Sequence, residues 1–153
     1  MIQKTLENTK IKNRKVMLLA LKPKWADEIL SGNKRWEYRR VTMHVEPNAR
    51  MLFYASGDIH AIVGEAIVDT VLNEPLDLLI QHTVDDVPEK EADLRRWFIG
   101  RNIGHAIKIK HPVRYEKPLT LDIIREHIYK FMPPQGFYYL KDEHPLLRLL
   151  PSK

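Results

Sequence analysis

The chain of 153 residues contains no cysteine. This absence excludes disulfide bonds, zinc sites built from thiolates and cysteine nucleophiles. No apolar run approaches the roughly 20 residues that a bilayer-spanning helix needs, and residues 1–15 lack the continuous apolar core of a signal peptide. We therefore expect a cytoplasmic protein with no membrane segment.

The common signatures of catalysis and cofactor binding are also missing. The sequence has no nucleophile elbow GxSxG, no phosphate-binding GxxxxGK[ST] and no dinucleotide-binding GxGxxG. Its 7 histidines are scattered, and none of them stands in HExxH or another compact metal-binding spacing. We expect neither a metal site nor a cofactor.

Composition places the chain in the ordinary globular class, with 44% hydrophobic and 29% charged residues. A length of 153 residues is enough for one hydrophobic core without crosslinks. We expect a basic N-terminal arm over 1–15, one domain over 16–144 and a C-terminal tail over 145–153. The leucines of that tail must dock on the domain or remain exposed.

Charge is segregated along the chain, although the net value is only +5. Residues 1–50 carry 12 basic and 5 acidic side chains, residues 51–100 carry 3 and 10, and residues 101–153 carry 10 and 5. If the two basic thirds meet in space, they form a positive face that attracts phosphate groups. The same balance also occurs in small basic proteins that have no such partner.

Hydrophobic periodicity predicts a mixed chain in which strands predominate. Strands are expected over 16–22, 34–41, 51–56, 61–72, 104–121 and 136–140. Helices are expected over 23–32, near 75–81, near 88–99 and over 121–131. Within the fourth strand, Gly64 indicates a bulge or a close backbone approach. The order of elements favours an α+β fold around a small curved or closed sheet over a doubly wound parallel sheet.

The segment SGNKRWEYRR, residues 31–40, combines cations, one carboxylate and two aromatic rings. On a strand, Glu37 and Arg39 share one face, while Trp36, Tyr38 and Arg40 share the other. The mixture is typical of a solvated surface with ion pairs. It also suits a clamp in which arginine and lysine hold phosphate and an aromatic ring stacks on a base.

The run LALKPKWADEILSGNKRWEYRR resembles the opening of an ASCH domain, a small PUA-like β-barrel module associated with RNA. The likeness rests on Lys-Pro after an apolar strand, on Ile-Leu-Ser-Gly ending a helix, and on Gly-x-Lys-x-x-Glu-x-Arg-Arg. These motifs fall on Lys22–Pro23, Ile29–Gly32, Lys34, Glu37, Arg39 and Arg40. The stretches MLFYASGDIHAIVGEAIV and PPQGFYYL resemble later parts of the family in the same order.

The resemblance implies a PUA-like β-barrel, with a curved mixed sheet of five to seven strands, a short helix after the first strand and peripheral helices. It also implies a cleft between that helix and the sheet, with RNA or a nucleotide as partner and DNA as a further candidate. Tyr38 is an alternative to Trp36 as the stacking ring, and Phe137 would close the cleft beside Gln135. The residues expected to bind nucleic acid are Lys22, Lys34, Trp36, Glu37, Arg39, Arg40, Tyr54, Ser56 and Gln135.

An enzymatic role is the first alternative to simple binding. One branch of the ASCH family hydrolyses N4-acetylcytidine with a lysine, a threonine and a glutamate. Its lysine falls on Lys34, but Glu37 stands where that branch has threonine, so Glu37 would have to act as a general base for water. Some members have been linked to RNA cleavage, for which a carboxylate or His60 would be the base. The second alternative is a protein-interaction module that uses the acidic segment 74–93 and the leucine-rich tail.

Overall fold

The computed structural model describes residues 16–152, which form six strands and four α-helices. The strands are β1 Val16–Leu21, β2 Trp36–Arg39, β3 Arg50–Ala55, β4 Ala61–Pro75, β5 Ile103–Thr120 and β6 Phe137–Leu140. The helices are α1 Pro23–Leu30, α2 Leu76–Thr83, α3 Glu91–Trp97 and α4 Leu121–His127, with 3-10 turns at Val84–Asp86 and Pro145–Arg148. The N-terminal arm expected over 1–15 lies outside the described residues.

The strands form one sheet in the order β2-β5-β4-β3-β1-β6, curled into a half-barrel. β1 runs parallel to β3, and the other neighbours are antiparallel. The α+β, PUA-like fold with a mixed curved sheet is confirmed. β1 is buried on both faces, because Met17 and Leu19 belong to one core cluster and Val16 and Leu18 to another. This position explains why its sequence is a continuous apolar run rather than an alternating one.

Gly64 shows both features that its place in an apolar strand predicts. The pairing of β4 with β5 shifts register between Ile62 and Gly64. A Cβ atom added to Gly64 would lie 2.5 Å from the backbone oxygen of Val113 and 2.7 Å from a methyl carbon of Leu30. The glycine therefore lets α1 and β5 approach β4 closely.

The first helix begins at Pro23 as predicted and ends at Leu30, two residues before the predicted end at Gly32. Pro23 occupies its first turn, where an N–H group is not needed, and Gly32 follows the helix with φ of 87°. The fourth helix is shorter than expected and ends at His127, because Ile128 already has extended backbone angles. No helix among residues 16–152 is both long and apolar enough to cross a bilayer.

The two free edges of the curled sheet are held together by Arg39 at the end of β2. Its Nη2 donates to the backbone oxygen of Ala20 in β1 at 3.3 Å, and its guanidinium lies 5.7 Å from the ring centre of Phe137 in β6. Since β2 and β6 are the outermost strands, these contacts close the half-barrel. The closure places the ends of β1 and β2 side by side beneath α1.

The leucine-rich C-terminal tail packs on the domain. Leu146 is fully buried, and Leu147, Leu149 and Leu150 pack against the same cluster as Leu18. His144 caps the turn, because its Nδ1 accepts a hydrogen bond from the backbone N–H of Leu146. The apolar side chains at 146–150 are thus part of the core.

Candidate functional site

A cleft of about 800 Å³ opens between α1 and the residues that precede and form α3. Its floor is formed by the end of β1, by Lys34 and by residues 37–39 of β2, and Ser56 and Gln135 also line it. The lining residues are Ala20, Leu21, Lys22, Lys24, Trp25, Glu28, Lys34, Glu37, Tyr38, Arg39, Ser56, Pro88, Glu89, Asp93, Leu94, Trp97, Pro134 and Gln135.

Lys34 lines this floor and is only 4% exposed. Its Nζ forms an ion pair with Glu89 Oε2, from the loop before α3. The same ammonium group lies 5.1 Å from the ring centre of Trp25 and 4.8 Å from that of Tyr38. A buried lysine needs such a partner, because an unpaired charge removed from water is costly. Glu89 and the two rings therefore fix the position of this cation.

Tyr38 supports Lys34 from below. Its hydroxyl donates to Thr83 Oγ1 at 2.7 Å, and its ring meets Phe98 edge-on at a centroid distance of 6.0 Å. Burial raises the pKa of this hydroxyl, so Tyr38 stays neutral. The floor is consequently joined to α2 and to the end of α3.

Glu37 is buried beside Lys34 and Arg39. Its Oε1 lies 3.6 Å from Arg39 Nε, while its Oε2 has no hydrogen-bond partner among residues 16–152. Burial raises the pKa of Glu37 above the ordinary value of 4.5, against the opposing effects of the positive Arg39 and Lys34. The nearby Glu89 carboxylate acts in the same direction as burial. The floor thus holds a carboxyl group that retains its proton more readily than an exposed one.

This shift makes the stability of the protein depend on pH. A carboxyl whose pKa is raised on folding contributes stability below its unfolded value of 4.5, and this contribution is lost as pH rises through the folded value. Glu37→Gln mimics the protonated form and cannot ionise. We expect the unfolding free energy of the variant, minus that of wild type, to increase as pH rises above 4.5. Urea unfolding of both proteins between pH 4 and pH 8 measures this difference. If the two curves of unfolding free energy against pH are parallel, the prediction is wrong.

Charges on the lining are nearly balanced, and the buried cations already have partners. Lys34 is paired with Glu89, and Arg39 with Glu37 and the carbonyl of Ala20. The exposed cations on the lining are Lys22 and Lys24, at the start of α1. A phosphate therefore finds accessible positive charge at the rim of the cleft rather than on its floor.

The structure brings most of the sequence-predicted site residues together. Those that line the cleft are Lys22, Lys34, Glu37, Arg39, Ser56 and Gln135, together with Tyr38. Ser56 donates its hydroxyl to the carbonyl of Leu21 at 3.1 Å, which ties the ends of β1 and β3 together. Phe137 lies behind Arg39 rather than on the cleft surface.

Three predicted residues, Trp36, Arg40 and Tyr54, lie elsewhere. Trp36 is 5% exposed and packs with Leu79 and Phe98 beneath α2 and α3, so its ring has no free face for stacking. Tyr54 is buried in the cluster under the C-terminal tail, and its hydroxyl lies 3.3 Å from His60 Nδ1. Arg40 is exposed and donates to the carbonyl of Ile99 at 3.2 Å.

Sequence reasoning missed Trp25, Glu89 and Trp97. Trp25 fits the helical spacing of α1, which indicates only a packed helix, although its half-buried ring forms one wall of the cleft. Glu89 falls in the acidic segment 74–93, which the sequence offers as a surface for a protein partner. The sequence offers one indication of Glu89, because a buried lysine such as Lys34 requires a carboxylate partner and the acidic segment is rich in carboxylates.

No metal-binding arrangement accompanies these residues. Within residues 16–152, no group of three or more His, Asp or Glu side chains is placed to hold an ion.

Comparison with known proteins gives a consistent set of relatives. No family model matches the chain. An ASCH domain-containing ribonuclease of Zymomonas mobilis is 28% identical over 137 residues, which cover 88% of this chain and 90% of the relative. The crystal structure of ASCH from the same organism has a TM-score of 0.79 at 26% identity and covers 86% of this chain and 91% of that chain. The crystal structure of a serine-to-alanine mutant of the Zymomonas protein has a TM-score of 0.80 at 26% identity. It covers 90% of this chain and 98% of that chain.

Proposed function

Because the chain is an ASCH domain protein, we propose that it binds single-stranded RNA by admitting one base to the cleft while the phosphates stay at the rim. The observation that carries this proposal is the arrangement of Trp25, Lys34 and Glu89. It provides an aromatic face inside a cleft whose buried charges are already neutralised. Such a surface suits a flat, uncharged base better than a phosphate.

Lys24 links the base position to the rim. Its Nζ lies 4.9 Å from the ring centre of Trp25, and the side chain is exposed. A phosphate at the rim would draw this ammonium away from the indole and free that face of the ring for a base. Lys22 lies two residues earlier on the same rim and provides a second cation for the backbone. The Zymomonas relative named as a ribonuclease supports RNA as the ligand.

RNA cleavage is a second candidate, favoured by the buried pair of carboxyl groups around Lys34. In that reaction the 2′-hydroxyl attacks the adjacent phosphorus, and the bond from phosphorus to the 5′ oxygen breaks. Glu89, paired with Lys34, would accept the 2′-hydroxyl proton, and Glu37, whose pKa is raised by burial, would donate one to the leaving 5′ oxygen. Unlike simple binding, this reaction requires the scissile phosphate to enter the cleft, where Lys34 would stabilise the charge that develops on its oxygens. The products would be a 2′,3′-cyclic phosphate and a 5′-hydroxyl, which end-labelled RNA distinguishes on a gel.

The rim is tested by the salt dependence of binding. We expect Lys22→Ala combined with Lys24→Ala to weaken binding of a single-stranded RNA hexamer and to reduce the slope of log affinity against log salt. The reduction should be about 0.7 for each phosphate that the two lysines neutralise in wild type. Fluorescence anisotropy between 25 and 300 mM salt measures both quantities.

The matched control removes two exposed lysines outside the cleft, Lys117 and Lys141, and so causes the same change in net charge. An equal loss of RNA affinity in both double variants would show that the overall charge of the protein, rather than the two lysines at the rim, attracts RNA. A DNA hexamer of the same sequence tests whether the 2′-hydroxyl is recognised. If wild-type protein binds no hexamer at 25 mM salt, the proposed function is wrong.

A further inference from the structure

Trp97 leaves a large aromatic ring exposed on the wall of the cleft opposite Trp25. It is the last residue of α3, lines the cleft and is 51% exposed. Large aromatic side chains usually bury most of their surface, so an exposed one beside a cleft is a candidate contact for a ligand.

The backbone that carries Trp97 is held firmly. Phe98, the next residue, is fully buried against Tyr38, and Leu94 is buried one turn earlier. Because both anchors are in the core, the indole cannot sink inward without displacing one of them. The backbone beneath Trp97 is therefore held in place, so that a base that stacks on the indole has only the two side-chain torsions to order.

Three further exposed apolar side chains, called the strip below, follow Trp97 in sequence or stand next to Arg40: Ile99, Ile103 and Val41. Ile99 is 73% exposed, and Val41 and Ile103 are each about half exposed. Arg40 reaches this strip, because its guanidinium donates to the carbonyl of Ile99. Arg96 and Arg101 are also exposed at this end of the fold. The strip thus combines apolar surface with cations, as surfaces that follow a single nucleic-acid strand do.

We propose that Trp97 stacks on the nucleotide next to the one in the cleft, so that the preferred ligand is an RNA strand of at least two nucleotides rather than a free nucleoside. This inference rests on the proposed RNA binding and adds a second base position to it. Trp25 contacts the first base from α1, and Trp97 contacts its neighbour from α3. The backbone then leaves the cleft past Arg40 and Arg101. A protein segment could also cover apolar surface of this kind, but the position of Trp97 on the cleft lining and the contact of Arg40 with Ile99 favour the strand.

The test compares an RNA hexamer with a nucleoside monophosphate as ligands of wild type, Trp97→Ala and Trp97→Phe. Stacking of one base on an aromatic side chain contributes enough binding free energy that its loss lowers the affinity roughly tenfold. We expect Trp97→Ala to lower the affinity for the hexamer by about that factor and to leave the affinity for the monophosphate unchanged. Trp97→Phe, which keeps a ring, should retain most of the hexamer affinity. Isothermal titration calorimetry gives both constants.

Tyr129→Ala is the matched control, because Tyr129 is an aromatic residue that is 85% exposed and lies outside the cleft. It should bind the hexamer as wild type does. Unchanged hexamer affinity in Trp97→Ala would overturn the second base position and leave the proposed function intact. An equal loss of affinity for the hexamer and the monophosphate would have the same meaning. A change in oligomeric state of Trp97→Ala without any change in RNA affinity would assign the strip to a protein partner instead. Failure of wild type to bind either ligand would overturn the proposed function and this inference together.

Discussion

Lys34→Ala is expected to lower the affinity for single-stranded RNA by up to about a hundredfold, near the upper limit for the loss of one stacked base, and to abolish any RNA cleavage. The substitution removes the cation that lies against both Trp25 and Tyr38, and it leaves Glu89 buried without its partner. Loss of one partner of a buried ion pair typically lowers the free energy of unfolding by about 3–5 kcal/mol, because the remaining charge is uncompensated. An unpaired carboxylate in the cleft would also repel the phosphates at the rim.

The control for this experiment is Lys108→Ala. Lys108 also lies over a tryptophan, with its Nζ 5.8 Å from the ring centre of Trp36, but it does not line the cleft. It should bind RNA nearly as wild type does. The double variant Lys34→Ala with Glu89→Ala removes the unpaired charge and should recover stability. If it also recovers full RNA affinity, Lys34 serves only to neutralise Glu89, and its proposed place in the site is wrong.

Glu65→Ala is expected to lower the free energy of unfolding by about 3–5 kcal/mol. Glu65 is 1% exposed in β4, and its two carboxylate oxygens accept hydrogen bonds from Arg50 Nε at 2.6 Å and Arg50 Nη2 at 2.8 Å. The hydroxyl of Tyr115 donates to the same carboxylate at 2.9 Å, which joins β3, β4 and β5. Alanine would leave a half-buried guanidinium and a buried hydroxyl without this acceptor.

Urea unfolding measures this loss, with two variants for comparison. Glu65→Gln keeps the shape and one acceptor oxygen and should lose less stability than Glu65→Ala. Asp27→Ala removes the exposed ion pair with Arg114, and its effect should stay within about 1 kcal/mol, because water and salt screen such pairs. Similar losses in Glu65→Ala and Asp27→Ala would show that the buried network contributes little.

These two predictions separate binding from folding. Lys34 lines the cleft, whereas Glu65 lies outside it, under the paired strands. Folded Glu65→Ala protein, examined at low temperature, should therefore bind RNA as wild type does. A loss of RNA affinity there would show that the cleft depends on the packing of β3 to β5.

Local sequence patterns are sufficient to predict the elements and part of the site. The apolar run at 16–22, the proline at 23 and the glycine at 32 set the first strand and helix, because each acts on the backbone within a few residues. Alternation along 36–39 correctly assigns Trp36 and Tyr38 to one core cluster and Glu37 and Arg39 to the cleft, since the side-chain period of a strand is two. Tyr38 nevertheless also reaches the cleft lining. The motif residues Lys34, Glu37 and Arg39 do reach one cleft.

The sequence alone determined the order of strands and helices, the apolar face of each, and the presence of a basic, carboxylate-containing segment after α1. Only the tertiary structure decided which side chains meet across the cleft. Lys34 pairs with Glu89, 55 residues away, and Arg39 closes the sheet through Ala20 and Phe137. The same packing buries Trp36 and exposes Trp97. These outcomes depend on how far the sheet curls and on where the segment before β5 packs, and both follow from contacts between residues distant in sequence, which local periodicity does not encode.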